Sequence, residues 1–343
     1  MATYTIDIEL TNRCNADCYF CPRDATPHQG LMTDEVFEQA LVRAAQIRDR
    51  NTAADPTMET IISFCGLGEP LLHKRAAEYV QRAGDEGFTT AMSSNASLLD
   101  EKRATALLEA GLGCIYINVG ERDQGYVDIY KLPFEKTRDN IVRFAEMAGG
   151  RCGLVIVLVD HRRDRAHVAD MEQYWRDLGM TSFATFDIMN RGGALFVDHM
   201  QYDTRPELAT AQRMIAARHG EALCSVPFFS TFVGYDGNIY LCCSDWKKEA
   251  VVASVFDDAA VYDLPKLGFV AGREPVCRTC NLDPLNALAD ELRATADGLA
   301  DARDPEQMAD EFATFGPRLR QGVEQSDALL AANGRRLIPV RPA

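Results

Sequence analysis

Two rhythms of apolar and polar residues alternate along the first two thirds of the chain. Thr5–Leu10 (TIDIEL) switches character at every step, as a strand with one buried face does. Thr33 then stands before a stripe of Val36, Phe37, Ala40, Leu41, Ala44 and Ile47, which predicts a capped helix running to about Asp49. The cycle repeats. Strands are predicted at Thr60–Phe64, Phe88–Met92, Cys114–Val119, Leu154–Asp160 and Ser182–Met189. Helices are predicted between them at Lys74–Ala83, Asp100–Ala110, Phe134–Met147 and Arg165–Leu178. Six such units in order imply a parallel sheet with crossover helices, as an open sheet or a barrel.

After Arg191-Gly192-Gly193 the alternation stops. Residues 196–222 read as a loop with one helix. Phe228–Val233 and Asn238–Cys242 flank Tyr235-Asp236-Gly237, a hairpin with Asp-Gly at its turn. From about Pro284 to Gly334 the chain is rich in Ala, Asp, Glu and Arg at helical spacing, which predicts a solvent-facing helical extension. The α/β part is expected over residues 1–195, a Cys-rich hairpin module with its linker over 196–283, and the helical C-terminal tail over 284–343.

Composition narrows the class. At 343 residues, 47% hydrophobic and 25% charged, the chain has material for a large core and a smaller second one. A net charge of −15 argues against nonspecific nucleic-acid binding, which needs a basic face. The opening MATYTIDIEL has neither the basic nor the apolar region of a secretory signal, and the longest apolar run, about Gly153–Val159, is too short to span a bilayer. A cytoplasmic protein with no membrane partner is expected. Eleven Cys are many for such a protein, and seven fall at metal-like spacings, so metal explains them better than disulfides.

Cys14, Cys18 and Cys21 form C-x3-C-x2-C just after the first strand. Three thiolates on one short loop wrap a compact centre and leave a four-iron cluster with one iron open for chemistry. A zinc loop or buried thiols is the alternative, although structural zinc usually draws on two Cys pairs and no fourth ligand lies nearby.

One unit later, at the end of the second predicted strand, stands Gly66-Leu67-Gly68-Glu69-Pro70; Ser93, Ser94 and Asn95 end the third. Together with the triad these segments resemble the radical S-adenosylmethionine (radical SAM) superfamily. The resemblance implies a partial (β/α)6 barrel, matching the units counted above, with ligands at the C-terminal ends of the strands. It implies SAM and a [4Fe-4S] cluster on Cys14, Cys18 and Cys21. Phe20 matches the position whose backbone contacts adenine. Gly66, Gly68 and Glu69 match the segment holding the methionine amino group, and Ser94 and Asn95 the ribose-contacting position. Glycines do let a backbone approach a ligand, and a carboxylate accepts hydrogen bonds from an ammonium. The plainer alternatives are a solvated loop carboxylate for Glu69 and turn formers for Ser94 and Asn95.

Cys224, Cys242, Cys277 and Cys280 are a second constellation, C-x12-G-x4-C followed at a distance by C-x2-C. It resembles the twitch module, the short form of the SPASM auxiliary domain, and so implies one auxiliary [4Fe-4S] cluster; a four-thiolate zinc remains open. Cys243 is left over beside Cys242. With Cys65, Cys114 and Cys152 it reads as a buried small hydrophobe or as a thiol that donates hydrogen to a substrate.

The shared chemistry of the superfamily is a 5′-deoxyadenosyl radical that takes hydrogen from an unactivated C–H bond. Twitch enzymes similar to this chain include the dehydrogenase of 2-deoxy-scyllo-inosamine. The expected reaction is oxidation of a hydroxyl-bearing carbon of a small aminocyclitol or sugar to a ketone, in natural-product biosynthesis, with the auxiliary cluster taking the second electron. Arg191 is the candidate contact to the substrate hydroxyl, an electrostatic aid rather than a base because it stays protonated, and Glu9 a candidate substrate ligand from the first strand. A capping Arg is the plainer reading of the former. Peptide-modifying relatives carry further recognition domains, so a small molecule is expected as substrate, with flavodoxin or ferredoxin as electron donor. Epimerisation with a Cys thiol returning hydrogen, sugar decarboxylation or dehydration, and a non-catalytic iron–sulfur carrier are the alternatives.

Overall fold

The computed structural model describes residues 3–162, 164–195, 202, 205–257, 262–300 and 302–332. Six parallel strands, β1 (Thr3–Ile8), β2 (Glu59–Phe64), β3 (Thr89–Ser94), β4 (Cys114–Asn118), β5 (Gly153–Asp160) and β6 (Phe183–Asp187), lie side by side in chain order. Register is fixed by pairs such as Ile6 with Ile62, Phe64 with Met92, and Ile117 with Ile156. The helices α1 (Asp34–Ala54), α2 (Ala76–Asp85), α3 (Glu101–Glu109), α4 (Asp123–Tyr130), α5 (Phe134–Ala148) and α6 (Arg165–Asp177) connect them. The expected mixed α/β architecture with a parallel core is therefore present.

Helix starts follow the sequence cues. The Thr33 hydroxyl accepts from Val36 N at 3.3 Å, Asp100 from Arg103 N at 2.9 Å and Asp164 from Ala166 N at 3.0 Å. Each satisfies an amide the helix itself leaves unpaired. One sheet face is buried, with Ile6, Ile8, Ile62, Phe64, Met92, Ile115 and Ile117 all shielded. The other face carries partly exposed Asp7, Ser63, Cys65, Ser93, Tyr116 and Asn118. Alternation along β1, β2 and β4 separates the two sets.

Several elements differ from the sequence expectation. Pro70–Leu72 is a 3-10 turn, so α2 begins at Ala76 rather than Lys74. The helix α4 has no counterpart in the apolar pattern. Its buried Tyr126 and Tyr130 are four apart, but Val127 and Ile129 fall between them and blur the stripe. It stops at Lys131, which takes the left-handed conformation (φ 57°) two residues before Pro133.

The described residues fall into two compact units, one of Met1–Ile188 with Phe232–Asn238, the other of Met189–Thr231 with Ile239–Ala343. The hairpin strands β7 (Ser230–Val233) and β8 (Asn238–Tyr240) thus contribute their turn to the first unit. There Glu9 N donates to Val233 O at 2.9 Å.

The second unit contains α7 (Pro206–Ala217), α8 (Val226–Phe229), β9 (Val251–Ser254), α9 (Asp263–Gly272), α10 (Pro275–Thr279), α11 (Pro284–Ala296) and α12 (Pro305–Ala332). The C-terminal helices are not a solvent-facing extension. Leu285 and Leu288 of α11 with Met308, Ala309 and Ala313 of α12 form one core with Ala211 and Ile215 of α7. Among α8, α9 and β7, the ammonium of fully buried Lys266 donates to Pro227 O (2.7 Å) and Ser230 O (2.8 Å). No helix of the described residues is long and apolar enough to cross a membrane.

Candidate active site

The loop carrying Cys14, Cys18 and Cys21 leaves the C-terminal end of β1 and returns to it. Met32 N donates to Leu10 O at 2.8 Å, and the Thr11 hydroxyl to Gly30 O at 2.6 Å. Asn12, fully buried, fastens the base from both sides: its amide donates to His28 O (2.6 Å) and accepts from Gly30 N (2.9 Å). Sequence reasoning passed over this asparagine, which has no signal apart from its place in TNRC. The three thiols are partly exposed and form no disulfide. Burial pushes Cys14 and Cys18 up, and for Cys18 the neighbouring Cys21 and Cys14 add to the rise. As a donor set, three thiols on one short loop fit a three-thiolate [4Fe-4S] cluster.

The Gly66–Pro70 strap is packed against this loop. A Cβ at Gly68 would run into the carbonyl oxygens of Thr11 and Arg13, and Glu69 N donates to Arg13 O at 2.9 Å. Gly66 has φ 134°, a region that disfavours side chains, and a Cβ there would lie 2.8 Å from Glu9 Cγ. Glu9 is fully buried, and its Oε1 accepts from Leu67 N at 2.9 Å. The job visible for this carboxylate is to hold the strap to β1.

Glu69 is also buried. Its Oε1 accepts from the Ser94 hydroxyl (2.8 Å) and Leu71 N (3.1 Å), and its Oε2 from Asn95 N (2.8 Å). Burial pushes its carboxyl up, against the pull of these three donors. Ser94 turns its hydroxyl inward and also accepts from Ala96 N at 3.0 Å. The Asn95 amide faces the triad, 3.8 Å from Cys14 Sγ and 3.1 Å from Asn15 Oδ1. Triad, strap and the end of β3 are thus one bonded assembly.

Phe20 meets a group that the sequence did not announce. Its ring lies 4.6 Å from the His161 imidazole and 5.7 Å from Tyr130. Tyr130 accepts from Gly120 N at 2.9 Å and contacts His161 Nε2 at 3.2 Å. Its carbonyl accepts from Asp17 N at 3.3 Å, so α4 supports the triad loop. His161 follows β5, and burial lowers it to about 4 against the attraction of Glu121 and Asp160. Glu121, 2% exposed, takes both ends of the Arg162 guanidinium at 2.6 and 2.8 Å. A histidine ending a strand was the available signal.

In the second unit Cys224, Cys242, Cys277 and Cys280 line one cavity, with Ser244, Pro227 and Leu241 among its other walls. Burial pushes Cys277 up to about 12 and raises Cys224 and Cys242 as well, with the neighbouring thiols adding to each. Leu282 N donates to Cys280 Sγ at 3.4 Å. An all-sulfur donor set of this kind suits an iron–sulfur cluster or zinc. Among the described residues no three His, Cys, Asp or Glu side chains are drawn together as around one metal ion.

Cys243 is partly exposed beside Cys242. Arg191 takes the left-handed conformation (φ 52°) and lays its guanidinium 4.8 Å over the Trp246 ring. Its loop is held by reciprocal bonds of Asn190 and Asn281 at 3.1 Å, and by the Thr279 hydroxyl on Gly192 O at 2.8 Å.

Comparison with known proteins follows the same line. Residues 8–172 match the family model described as the radical SAM superfamily. The chain is 28% identical over 113 residues, 33% of its length, to the tungsten-containing aldehyde ferredoxin oxidoreductase cofactor-modifying protein of Pyrococcus furiosus. That stretch is 29% of the relative, and the chain spans about three tenths of the curated relatives it matches first. The fold is similar to Streptococcus suis SuiB bound to precursor peptide SuiA, with TM-score 0.59 and 12% identity over 85% of this chain and 73% of that one. It is also similar to anSMEcpe with bound AdoMet, with TM-score 0.54 and 14% identity over 94% of this chain and 99% of that one.

Proposed function

We propose that this chain, a radical SAM enzyme, oxidises a hydroxyl-bearing carbon of a small aminocyclitol or sugar to a ketone, in natural-product biosynthesis. The carrying observation is the convergence of Cys224, Cys242, Cys277 and Cys280 on one cavity, read as a twitch-type module over about residues 196–283. When bound, SAM on the first cluster supplies the hydrogen-abstracting 5′-deoxyadenosyl radical, and an auxiliary cluster supplies a sink for the second electron.

The residues of the chain do the rest. Cys14, Cys18 and Cys21 hold the first cluster. The Gly66–Glu69 strap and Asn95 offer backbone and amide groups to SAM, and Phe20 offers its main chain. The uncovered sheet face is polar for a barrel, with Asp7, Ser63, Ser93, Tyr116 and Asn118 partly exposed, which suits a substrate rich in hydroxyls. Arg191 is proposed to stabilise the substrate oxygen as its proton leaves, since a guanidinium holds its own proton. An external one-electron donor of the flavodoxin or ferredoxin kind completes the scheme.

Epimerisation is the second reading. Cys65, on the same sheet face, places its thiol 3.3 Å from Asp7 Oδ1, where a thiol is held ready to return hydrogen. Anaerobic incubation with SAM, dithionite and a panel of amino sugars and aminocyclitols tests both. A product lighter by two hydrogens supports oxidation. Unchanged mass with one solvent deuterium supports epimerisation, and no 5′-deoxyadenosine with any candidate overturns both.

A further inference from the structure

Arg23 is tied to the triad loop in a way that no motif requires. It follows Cys21 and Pro22 at the start of a 3-10 turn, Arg23–Ala25. Its side chain folds back into the loop and is only 17% exposed. One nitrogen, Nη1, donates to Cys14 O at 3.2 Å and to Ala16 O at 2.6 Å. The guanidinium therefore bridges the first half of the loop from the second half.

Its charge is not cancelled in place. Asp24 lies 3.4 Å and Asp17 3.8 Å away, but their side chains are 82% and 77% exposed, where water screens them. Arg23 is a fixed cation held against the main chain of Cys14 itself. Beside a cluster, a fixed positive charge favours the form with one more electron, because that form is the more negative. Cluster potentials respond to net charge and solvent exposure in this sense.

We infer that Arg23 is a positioning residue for the first cluster: it holds the triad loop closed through the Cys14 and Ala16 carbonyls, and its charge raises the reduction potential. This rests on reading the triad as a cluster site, so the test first measures iron per chain and the EPR signal of the reduced protein. Their absence from the unmutated protein would defeat that reading alone.

With the cluster in place, an EPR-monitored redox titration compares the unmutated protein with Arg23→Gln and Arg23→Lys. Arg23→Gln keeps a donor for the carbonyls and loses the charge. Its ratio of reduced to oxidised cluster at a fixed poise should fall about tenfold, about 59 mV for a one-electron couple. Arg23→Lys keeps the charge and loses the fork, so its potential should stay near the original while iron is lost faster to a chelator. A purely structural arginine would leave the Gln potential unchanged, and that result overturns the proposal. Should Arg23→Gln retain no iron, Arg23→citrulline, introduced by peptide ligation, serves instead, because it keeps the shape and N–H donors of the side chain without its charge. An unlowered potential in that protein would equally overturn the proposal.

Discussion

Asn95 donates its backbone N–H to Glu69 Oε2 at 2.8 Å while its side-chain amide stands 3.8 Å from the Cys14 sulfur. A single residue at the end of β3 thus joins the strap of β2 to the cysteine loop of β1. The buried carboxylate is the hub of that joint.

Replacing Glu69 by Gln puts an NH2 against at least one of the donors Ser94 Oγ, Leu71 N or Asn95 N. A buried donor left unmatched costs about 1–3 kcal/mol. The variant should melt at lower temperature and bind SAM at least tenfold more weakly, as read by equilibrium dialysis. Unchanged SAM affinity would show that the strap does not depend on this hub.

Gly68→Ala should be as damaging as any single methyl can be. The added carbon meets the main chain of Thr11 and Arg13 rather than a flexible side-chain end, and forced overpacking costs about 1–3 kcal/mol. Iron retained per chain after anaerobic reconstitution should fall with stability, because the displaced segment is the one that leads into Cys14. Gly84→Ala, whose new carbon meets nothing within 4 Å, is the control and should keep full iron.

Asn12→Ala removes the fastening of the triad loop at both His28 O and Gly30 N. A loss of about 1–3 kcal/mol is expected from the stranded amide of Gly30. Limited proteolysis should cut the variant within residues 13–29 faster than the unmutated chain. Equal cutting rates would mean that the bridge of Thr11 to Leu31 suffices.

His161 carries a pH dependence with a definite sign. Its folded value, about 4, lies below the ordinary 6.5, so the unfolded chain binds the proton first as the pH drops. The neutral imidazole therefore contributes stability above about 6.5 that is lost progressively as the pH falls toward about 4. The loss should not exceed about 3.5 kcal/mol, at about 1.4 kcal/mol per unit. His161→Phe keeps a ring against Phe20 and should flatten urea-derived stability between pH 4 and 6.5; an unaltered slope would assign it to other groups.

Substituting the second set of cysteines separates the two sulfur sites. With Cys277 and Cys280 both changed to Ala, iron should fall from about eight to about four per chain, while the SAM-responsive EPR signal of the first cluster survives. Zinc instead of iron in the unmutated protein, with four irons throughout, would reassign the second site as structural.

What the sequence made readable were features carried by local spacing. The triad, the Gly66–Pro70 strap and the cap at Thr33 each reside within a few residues. The partners of Glu69 and Glu9 did not show, because Asn95 and Leu67 reach them only after β1, β2 and β3 pair. Tyr130 and His161 stayed hidden for a related reason: 31 residues separate them, and α4 has no clean stripe. β9 is only four residues and α10 only five, too short for any period to emerge. The tail helices concealed their buried side among alanines, which serve a core or a surface equally well.

Returning to the hairpin, its turn is held by a unit that neither of its strands' outer ends joins. Val233 O bonds Glu9 N, and the Tyr235 ring fills the space above Gly30. A gene cut after residue 188 would thus deprive β1 of an edge partner and the cysteine loop of its lid. Expression of the N-terminal portion by itself should give insoluble material. Grafting this portion between relatives requires carrying Phe232–Asn238 along, as a discontinuous cassette rather than a single block.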